Sequence, residues 1–462
     1  MSNGESFFVL KNISLYAIFG VVAKSFSLLI TPIIARSLSV EDFGTYIVLV
    51  SAIMLIQSVF LFGFESSLNY FFNKFKSEVN KKTLVSTQTL FILITTVISA
   101  LIISLVLSDT VENINIVLTW GVLSVVAVYF ATLLKVDMNV SAYIKNQVLQ
   151  SVSLLCFIYL LVVAFSQSLE GIIYANIITL ILSIVFTYFF IKKYLGMRFS
   201  TKLLKKVLIY GLPLMPSGAL LWASMQLDRY FILYFLDDLS LGIYSFAIAI
   251  VMIPMFLKTA VKSAIDPFIM KSFHKDAVKT KKVISNYFSL NLLVFSFLFL
   301  LLSLFSHEIV LLMGGVKYLD SVPYIPWLVL ITCLTTCNQY FIYGLNFSKR
   351  NAFILKGLIY MLVINVLLMF FFIRGFGING VIAASFIANA FYTLYIYNKS
   401  NSLYQVSYQT KKNTLIVASA LLLFSVNHFI FPDDYFLKFV SLFLFIAVNI
   451  RKPVISRDAL HD

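Results

Sequence analysis

An all-α polytopic membrane protein of about 14 transmembrane helices is what this sequence predicts, and three observations carry that reading. Sixty per cent of the 462 residues are apolar and only 12% are charged, with a mean hydropathy of +0.95, whereas a globular domain carries roughly a quarter charged residues. The apolar residues gather in runs of about 16 to 25, enough to cross a hydrocarbon core of about 30 Å. Between the runs, Lys and Arg are rich in one connection and poor in the next.

The runs fall in order as follows. The first, 12–35, follows no charged n-region with a small-residue cleavage site and is expected as a retained helix. The second, 44–69, opens after Arg36 and Glu41-Asp42, and Lys74, Lys76, Lys81 and Lys82 separate it from 84–107. Asp109 and Glu112 lie in the turn to 114–134, and Lys135 and Lys145 precede 146–166. The sixth run, 170–191, leads into Lys192, Lys193, Arg198, Lys202, Lys205 and Lys206. Run 207–234 carries Gly211-Leu-Pro213-Leu-Met-Pro216, and the acidic turn Asp237-Asp238 follows it. Run 240–266 is expected to stop at Pro267, because proline lacks the N–H a helix needs. Runs 283–305, 323–346, 351–373 and 378–398 follow, with Asn338-Gln339 making the tenth polar. The last two, 413–431 and 435–450, are the shortest. Pro32, Pro213, Pro216 and Pro254 fall where a bending helix would need them.

Topology follows from charge placement. Of the 35 Lys and Arg, 26 lie in connections on the side shared with the N-terminus, whereas the opposite side holds Arg36, Lys317, Arg374 and Lys438 against eleven acids. Short basic loops stay inside, so both termini are expected to be cytoplasmic, in a bacterial inner membrane. The net charge of +15 is thus a topology signal, with anionic lipid headgroups as secondary partners, and does not point to nucleic acid. No connection has room for a soluble catalytic domain, and no P-loop or His-Glu-x-x-His helix occurs. No enzyme activity, metal or cofactor is expected. Cys156, Cys333 and Cys337 lie in apolar runs and are expected to be packing residues.

The two halves resemble each other. Leu10-Lys11 pairs with Leu204-Lys205, and Leu38 to Gly44-Thr-Tyr46 with Leu236 to Gly242-Ile-Tyr244. Lys81-Lys82 to Ser86 pairs with Lys281-Lys282 to Ser285, and Gly171 to Ala175 with Gly380 to Ala384. Six helices per unit make these parallel repeats, an arrangement used by transporters that rock two lobes about a central site. The expected organisation is a six-helix lobe over 1–195, a second over 196–400, and a C-terminal helix pair with a cytoplasmic tail over 401–462.

Arg36 to Tyr46, the Tyr210-Gly-Leu-Pro-Leu-Met-Pro-Ser217 opening, Asp228-Arg229 and Gly242-Ile-Tyr244 resemble the polysaccharide-export branch of the multidrug/oligosaccharidyl-lipid/polysaccharide (MOP) flippase superfamily. The nearest type is the Wzx-type O-antigen flippase, and the resemblance covers nearly the whole chain. It implies a two-lobe bundle that flips an undecaprenyl-diphosphate-linked oligosaccharide of a surface polysaccharide, such as that of lipopolysaccharide, in company with polymerase and chain-length proteins. Rival readings are a lipid II-type flippase and a cation-coupled drug or metabolite antiporter of the same superfamily.

Charges inside the runs are the candidate site, because each costs several kcal/mol in hydrocarbon unless it faces a polar cavity. The basic ones are Lys24, Arg229, Lys258, Lys262 and Lys356. Lys24 lies roughly 18 Å from either end of its run, too deep for easy snorkelling. Lys258, Lys262 and Asp266 recur at i, i+4 and i+8 on one helix face. Lys24, Lys258 and Lys262, with Arg229, are the candidate contacts for an anionic diphosphate. Lys356 is expected to snorkel. Glu65, Asp228 and Asp266 are the candidates for gating or for coupling to H⁺ or Na⁺. Asp228 and Arg229 point about 100° apart as helix neighbours and are expected to meet different partners rather than each other.

Overall fold

The computed structural model describes residues 29–107, 114–431 and 434–450. Those residues form helices joined by short connections, and among them there is no strand. The elements are α1 (29–37), α2 (Val40–Phe60), α3 (Phe64–Lys74), α4 (Glu78–Leu107), α5 (Ile114–Val136), α6 (Val140–Ile158), α7 (Leu169–Ile191), α8 (Thr201–Gly211) and α9 (Met215–Phe235). They continue as α10 (Asp238–Lys275), α11 (Ala277–Leu304), α12 (Ser306–Met313), α13 (Ile325–Phe347), α14 (Ala352–Leu403), α15 (Thr410–Ile430) and α16 (Tyr435–Ile450). Among the described residues, eleven helical segments are long and apolar enough to cross a membrane. One of them, α14, leaves helical geometry at Gly377, where φ is +54, so its 52 residues supply two passages. The protein is an all-α, multi-pass membrane protein.

Contacts divide the chain into two compact units, 1–227 and 228–462. In unit 1, α5 touches α2, α3, α4, α6 and α7 and is the central helix. In unit 2, α13 touches α10, α11 and α14, and α11 carries the final pair α15 and α16. Both α5 and α13 derive from the fourth run of their respective repeats.

Each unit has an apolar core at its basic end. Phe64, Leu68, Phe72, Leu84, Tyr129 and Leu133 lie in one, and Ile269, Ile284, Phe288, Tyr340, Phe341 and Ile396 in the other. The repeated Lys-Lys and Ser signature makes matching contacts. Ser86 Oγ donates to the Tyr194 carbonyl at 3.1 Å, and Ser285 Oγ to the Ser407 carbonyl at 2.9 Å. Lys81 lies over the Phe72 ring and Lys281 over the Tyr404 ring, each at 4.9 Å from the centroid, a cation–π contact worth about 0.5–1 kcal/mol at an exposed site. At the other end of unit 2, Lys438 Nζ donates to Glu308 Oε1 at 2.9 Å and ties α16 to α12.

Two expectations need correcting. The run 44–69 is not one helix: the chain breaks between α2 and α3 at Phe62 (φ +48) and Gly63 (φ +66). The cause is a backbone crossing, since a Cβ on Gly63 would meet the Gly211 carbonyl and a Cβ on Gly211 the Phe62 carbonyl. Pro267 does not stop the tenth helix, which runs on to Lys275; a proline removes one backbone bond, and the flanking turns keep the rest. The connection after α11 is itself helical, as α12 and the 3₁₀ segment Val316–Tyr324.

Candidate functional site

The polar residues of unit 2 converge where α10 lies along α13. Lys258 Nζ donates to the Thr335 carbonyl at 3.2 Å and to Thr335 Oγ1 at 3.1 Å. Two turns further on, Tyr343 OH donates to Asp266 Oδ1. Both intervals are eight residues, so the two helices run parallel and form two polar rungs about 12 Å apart along the axis. Between the rungs, Lys262 is exposed. Lys258 and Lys262 are like charges one turn apart, which is unfavourable by a few tenths of a kcal/mol even on an exposed helix. An anion between them would relieve that repulsion.

Behind the rungs lies a network of neutral groups. Asn291 on α11 donates to Thr336 Oγ1 at 2.9 Å, and Gln339 Nε2 reaches Asn291 Oδ1 at 3.5 Å. Asn338 Oδ1, Gln339 Oε1 and Tyr340 OH are buried without a hydrogen-bond partner among the described residues. Buried polar groups of this kind are costly in apolar surroundings, so the tract is suited to hydrated or hydroxylated cargo.

A second constellation joins α9 to the start of α10. Asp228 Oδ2 accepts from Tyr244 OH, while Asp228 Oδ1 accepts from the Arg229 backbone N–H at 2.9 Å. The Arg229 guanidinium lies 3.7 Å from the same Oδ1 and is only 7% exposed. This corrects the expectation that the two neighbours do not pair: the carboxylate folds back along its own helix, and Tyr244 holds it there. Asp228-Arg229 and Gly242-Ile-Tyr244 thus form one buried lock.

Glu65 lies in the first turn of α3, not on a continuous second helix. There it is exposed and accepts from Thr132 Oγ1 at 3.1 Å, at the helix end where a negative charge is favoured. The break at Gly63 separates it from Gln57. Lys24 lies outside the described residues. Lys356 is exposed on α14. Cys333 donates to the Phe295 carbonyl and Cys337 to the Cys333 carbonyl.

Among the described residues, the hydrogen-bonded interior of unit 1 is neutral by comparison. Tyr129 OH donates to Gln88 Oε1 at 2.8 Å and Gln88 Nε2 to Ser67 Oγ at 3.0 Å. Between α6 and α7, Gln150 donates to Ser183 at 2.6 Å and Ser183 to Asn146 at 2.9 Å.

Residue-level reasoning missed Thr335, Tyr343 and Tyr244 as partners. The eight-residue spacing of Thr335 and Tyr343, equal to that of Lys258 and Asp266, was the available signal.

Residues 9–273, more than half of the chain, match the family model of polysaccharide biosynthesis proteins. The chain belongs to this family. Among solved structures it is similar to the lipid II flippase MurJ in an inward closed conformation, at 15% identity, covering 95% of this chain and 99% of that one, with a TM-score of 0.75. It is also similar to an inward-facing MATE-family multidrug resistance transporter of the MOP superfamily, at 14% identity over 83% and 96% of the two chains, with a TM-score of 0.61. A variant of a Vibrio cholerae MATE transporter gives 14% identity over 85% and 96%, with a TM-score of 0.59. No curated protein sequence matches. The fold of this polysaccharide biosynthesis family member is therefore that of MOP transporters.

Proposed function

We propose that this protein flips an undecaprenyl-diphosphate-linked oligosaccharide, a repeat unit of O-antigen or a similar surface polysaccharide, across the inner membrane by alternating access. Both termini are cytoplasmic, and lobes 1–195 and 196–400 rock about a central path beside the helix pair of 401–462. The observation that carries the reading is the Lys258–Lys262 stripe on α10: one cation is held in place by Thr335 and the next is exposed. Such a pair suits the two or more negative charges of a diphosphate, because clustered cations are tolerable when an anion compensates them. Lys24 joins them as a third contact, and Arg229 reaches the cargo only when the Asp228–Tyr244 lock opens. The glycan passes along the polar tract of Asn338, Gln339 and Tyr340 while the polyprenyl chain stays in lipid. Asp266, Asp228 and Glu65 are the carboxylates through which H⁺ or Na⁺ would couple. Polymerase and chain-length proteins are the expected company.

A lipid II-type cargo is the second reading, favoured by the near-complete outline shared with MurJ; it presents the same polyprenyl diphosphate with a different glycan.

The test is flipping of a fluorescent polyprenyl-diphosphate oligosaccharide in proteoliposomes, read by a membrane-impermeant quencher. Lys258→Gln and Lys262→Gln together should slow it at least about tenfold, which is about 1.4 kcal/mol, with insertion unchanged. Equal rates in variant and wild type would remove the lysine stripe from the mechanism. Running a lipid II-type glycan in parallel decides between the two cargoes.

A further inference from the structure

The final helix pair stands outside the internal repeat, yet α15 lines an open cleft of about 540 Å³. Phe288, Phe341, Tyr397 and Tyr408 form its aromatic wall, and α15 lines it from Thr410 to Leu421, roughly 16 Å at the helical rise. The volume lies within the range of small-molecule sites, about 300–1,000 Å³. All of these residues belong to unit 2.

One polar group breaks the apolar lining. Asn413 is 7% exposed, lines the cavity, and neither its Oδ1 nor its Nδ2 has a hydrogen-bond partner among the described residues. Such an amide, buried among aromatic rings, calls for a ligand that offers an acceptor and a donor at the same depth. One turn away, α15 begins at Thr410, and Gln409 makes no side-chain cap there. That end carries the positive pole of the helix, with Lys411 exposed beside it. The cavity therefore offers three features in line: a cationic mouth, a buried amide about one turn in, and an apolar slot beyond.

We propose that this cavity holds a resident anionic glycerophospholipid, with one acyl chain against the aromatic wall and the ester and glycerol region meeting the Asn413 amide. Ester carbonyls accept from Nδ2, a headgroup hydroxyl donates to Oδ1, and the phosphate sits at the α15 N-terminus beside Lys411. A phosphatidylglycerol-type lipid meets all three requirements, whereas a zwitterionic choline lipid has no hydroxyl donor and carries a cation toward the mouth. The site ties α15 to the second lobe through lipid as well as protein.

Native mass spectrometry of the full chain, delipidated and then titrated with phosphatidylglycerol, phosphatidylcholine of the same chains, or undecaprenyl phosphate, tests this. Wild type should retain one phosphatidylglycerol about tenfold more tightly than phosphatidylcholine, a difference of about 1.4 kcal/mol. Ala418→Phe, which fills the slot, and Asn413→Leu, which removes the amide, should each reduce retention to the phosphatidylcholine level; the second variant decides if the first does not fold. Equal retention of the two phospholipids, or variants that retain phosphatidylglycerol as wild type does, would overturn the proposal. Preferential binding of undecaprenyl phosphate that Ala418→Phe abolishes would also overturn it, assigning the slot to a polyprenyl chain.

Discussion

The two units surround their central helices with different chemistry. Beside α5, the described polar interior is made of amides and hydroxyls that satisfy one another, such as Gln88 with Ser67 and Tyr129. Beside α13 and α10, charged groups are each held by a hydroxyl: Lys258 by Thr335 and Asp266 by Tyr343, with Asp228 held by Tyr244 near the start of α10. A closed neutral network gives packing specificity at small cost, since membrane-interior hydrogen bonds average about 0.6 kcal/mol. Ions held by hydroxyls remain able to exchange partners. The comparison teaches that the neutral network beside α5 is suited to rigid packing and the ions beside α10 and α13 to responding.

The strongest way to break this comparison is Asp228→Ala. It removes the Asp228 contacts to both the Arg229 guanidinium and Tyr244, and the loss should be about 3–5 kcal/mol, read as thermal unfolding of the purified protein. A change no larger than that of a neutral deletion would mean that the lock is not ionic. Next comes Gly63→Ala, which places a Cβ into the Gly211 backbone at a positive φ and should cost about 3 kcal/mol. Gly218→Ala is its control: the added Cβ meets nothing nearer than Ser58 Cβ at 3.8 Å, and helix propensity alone should make it neutral or stabilising by up to about 1 kcal/mol.

On the neutral side, Gln88→Leu removes two buried hydrogen bonds and should cost about 1–3 kcal/mol in stability while leaving the cargo dependence of flipping unchanged. A shift in that dependence would place the Gln88 network in cargo binding. Tyr343→Phe should cost about 1–2 kcal/mol and change the rate of flipping, because it frees Asp266 from its hydroxyl partner; an unchanged rate would make that rung purely structural.

The smallest effect concerns Glu308. Burial pushes its pKa up, but the Lys438 hydrogen bond and charge, a backbone hydrogen bond and Tyr435 together hold it below the ordinary carboxylate value. A depressed carboxylate stabilises the fold above its unfolded pKa of about 4.3, and that contribution disappears as pH falls through the lower folded value. Wild type should thus lose roughly 1 kcal/mol or less relative to Glu308→Gln on acidification below about pH 4. Parallel melting curves for the two across that window would show that the clamp between α12 and α16 adds nothing.

Much of this was legible in the residues. Apolar runs gave the passages, including the division of α14, because an apolar run has one low-energy place in a bilayer whatever its neighbours. Lys258, Lys262 and Asp266 were found because charge in an apolar run is rare and helical spacing puts them on one face. Their partners were less legible: Thr335, Tyr343 and Tyr244 are ordinary in composition, and only the pairing of helices brings them to the ions. The break before Glu65 was hidden for the same reason, since Gly63 in an apolar run looks harmless until Gly211 arrives against it.

By itself, then, the sequence determined the solvent this protein lives in, the apolar passages through it and the presence of charge inside them, because each is a property of one segment against lipid. Tertiary structure alone decided which helix faces which: the Gly63–Gly211 crossing, the rungs between α10 and α13, the folding back of Asp228 onto Arg229, and the slot that leaves Asn413 unsatisfied. Those features depend on contacts between residues far apart in the chain. Between helices in lipid, close packing and a few hydrogen bonds set such contacts, and hydrophobicity, equal on every side, does not choose among them.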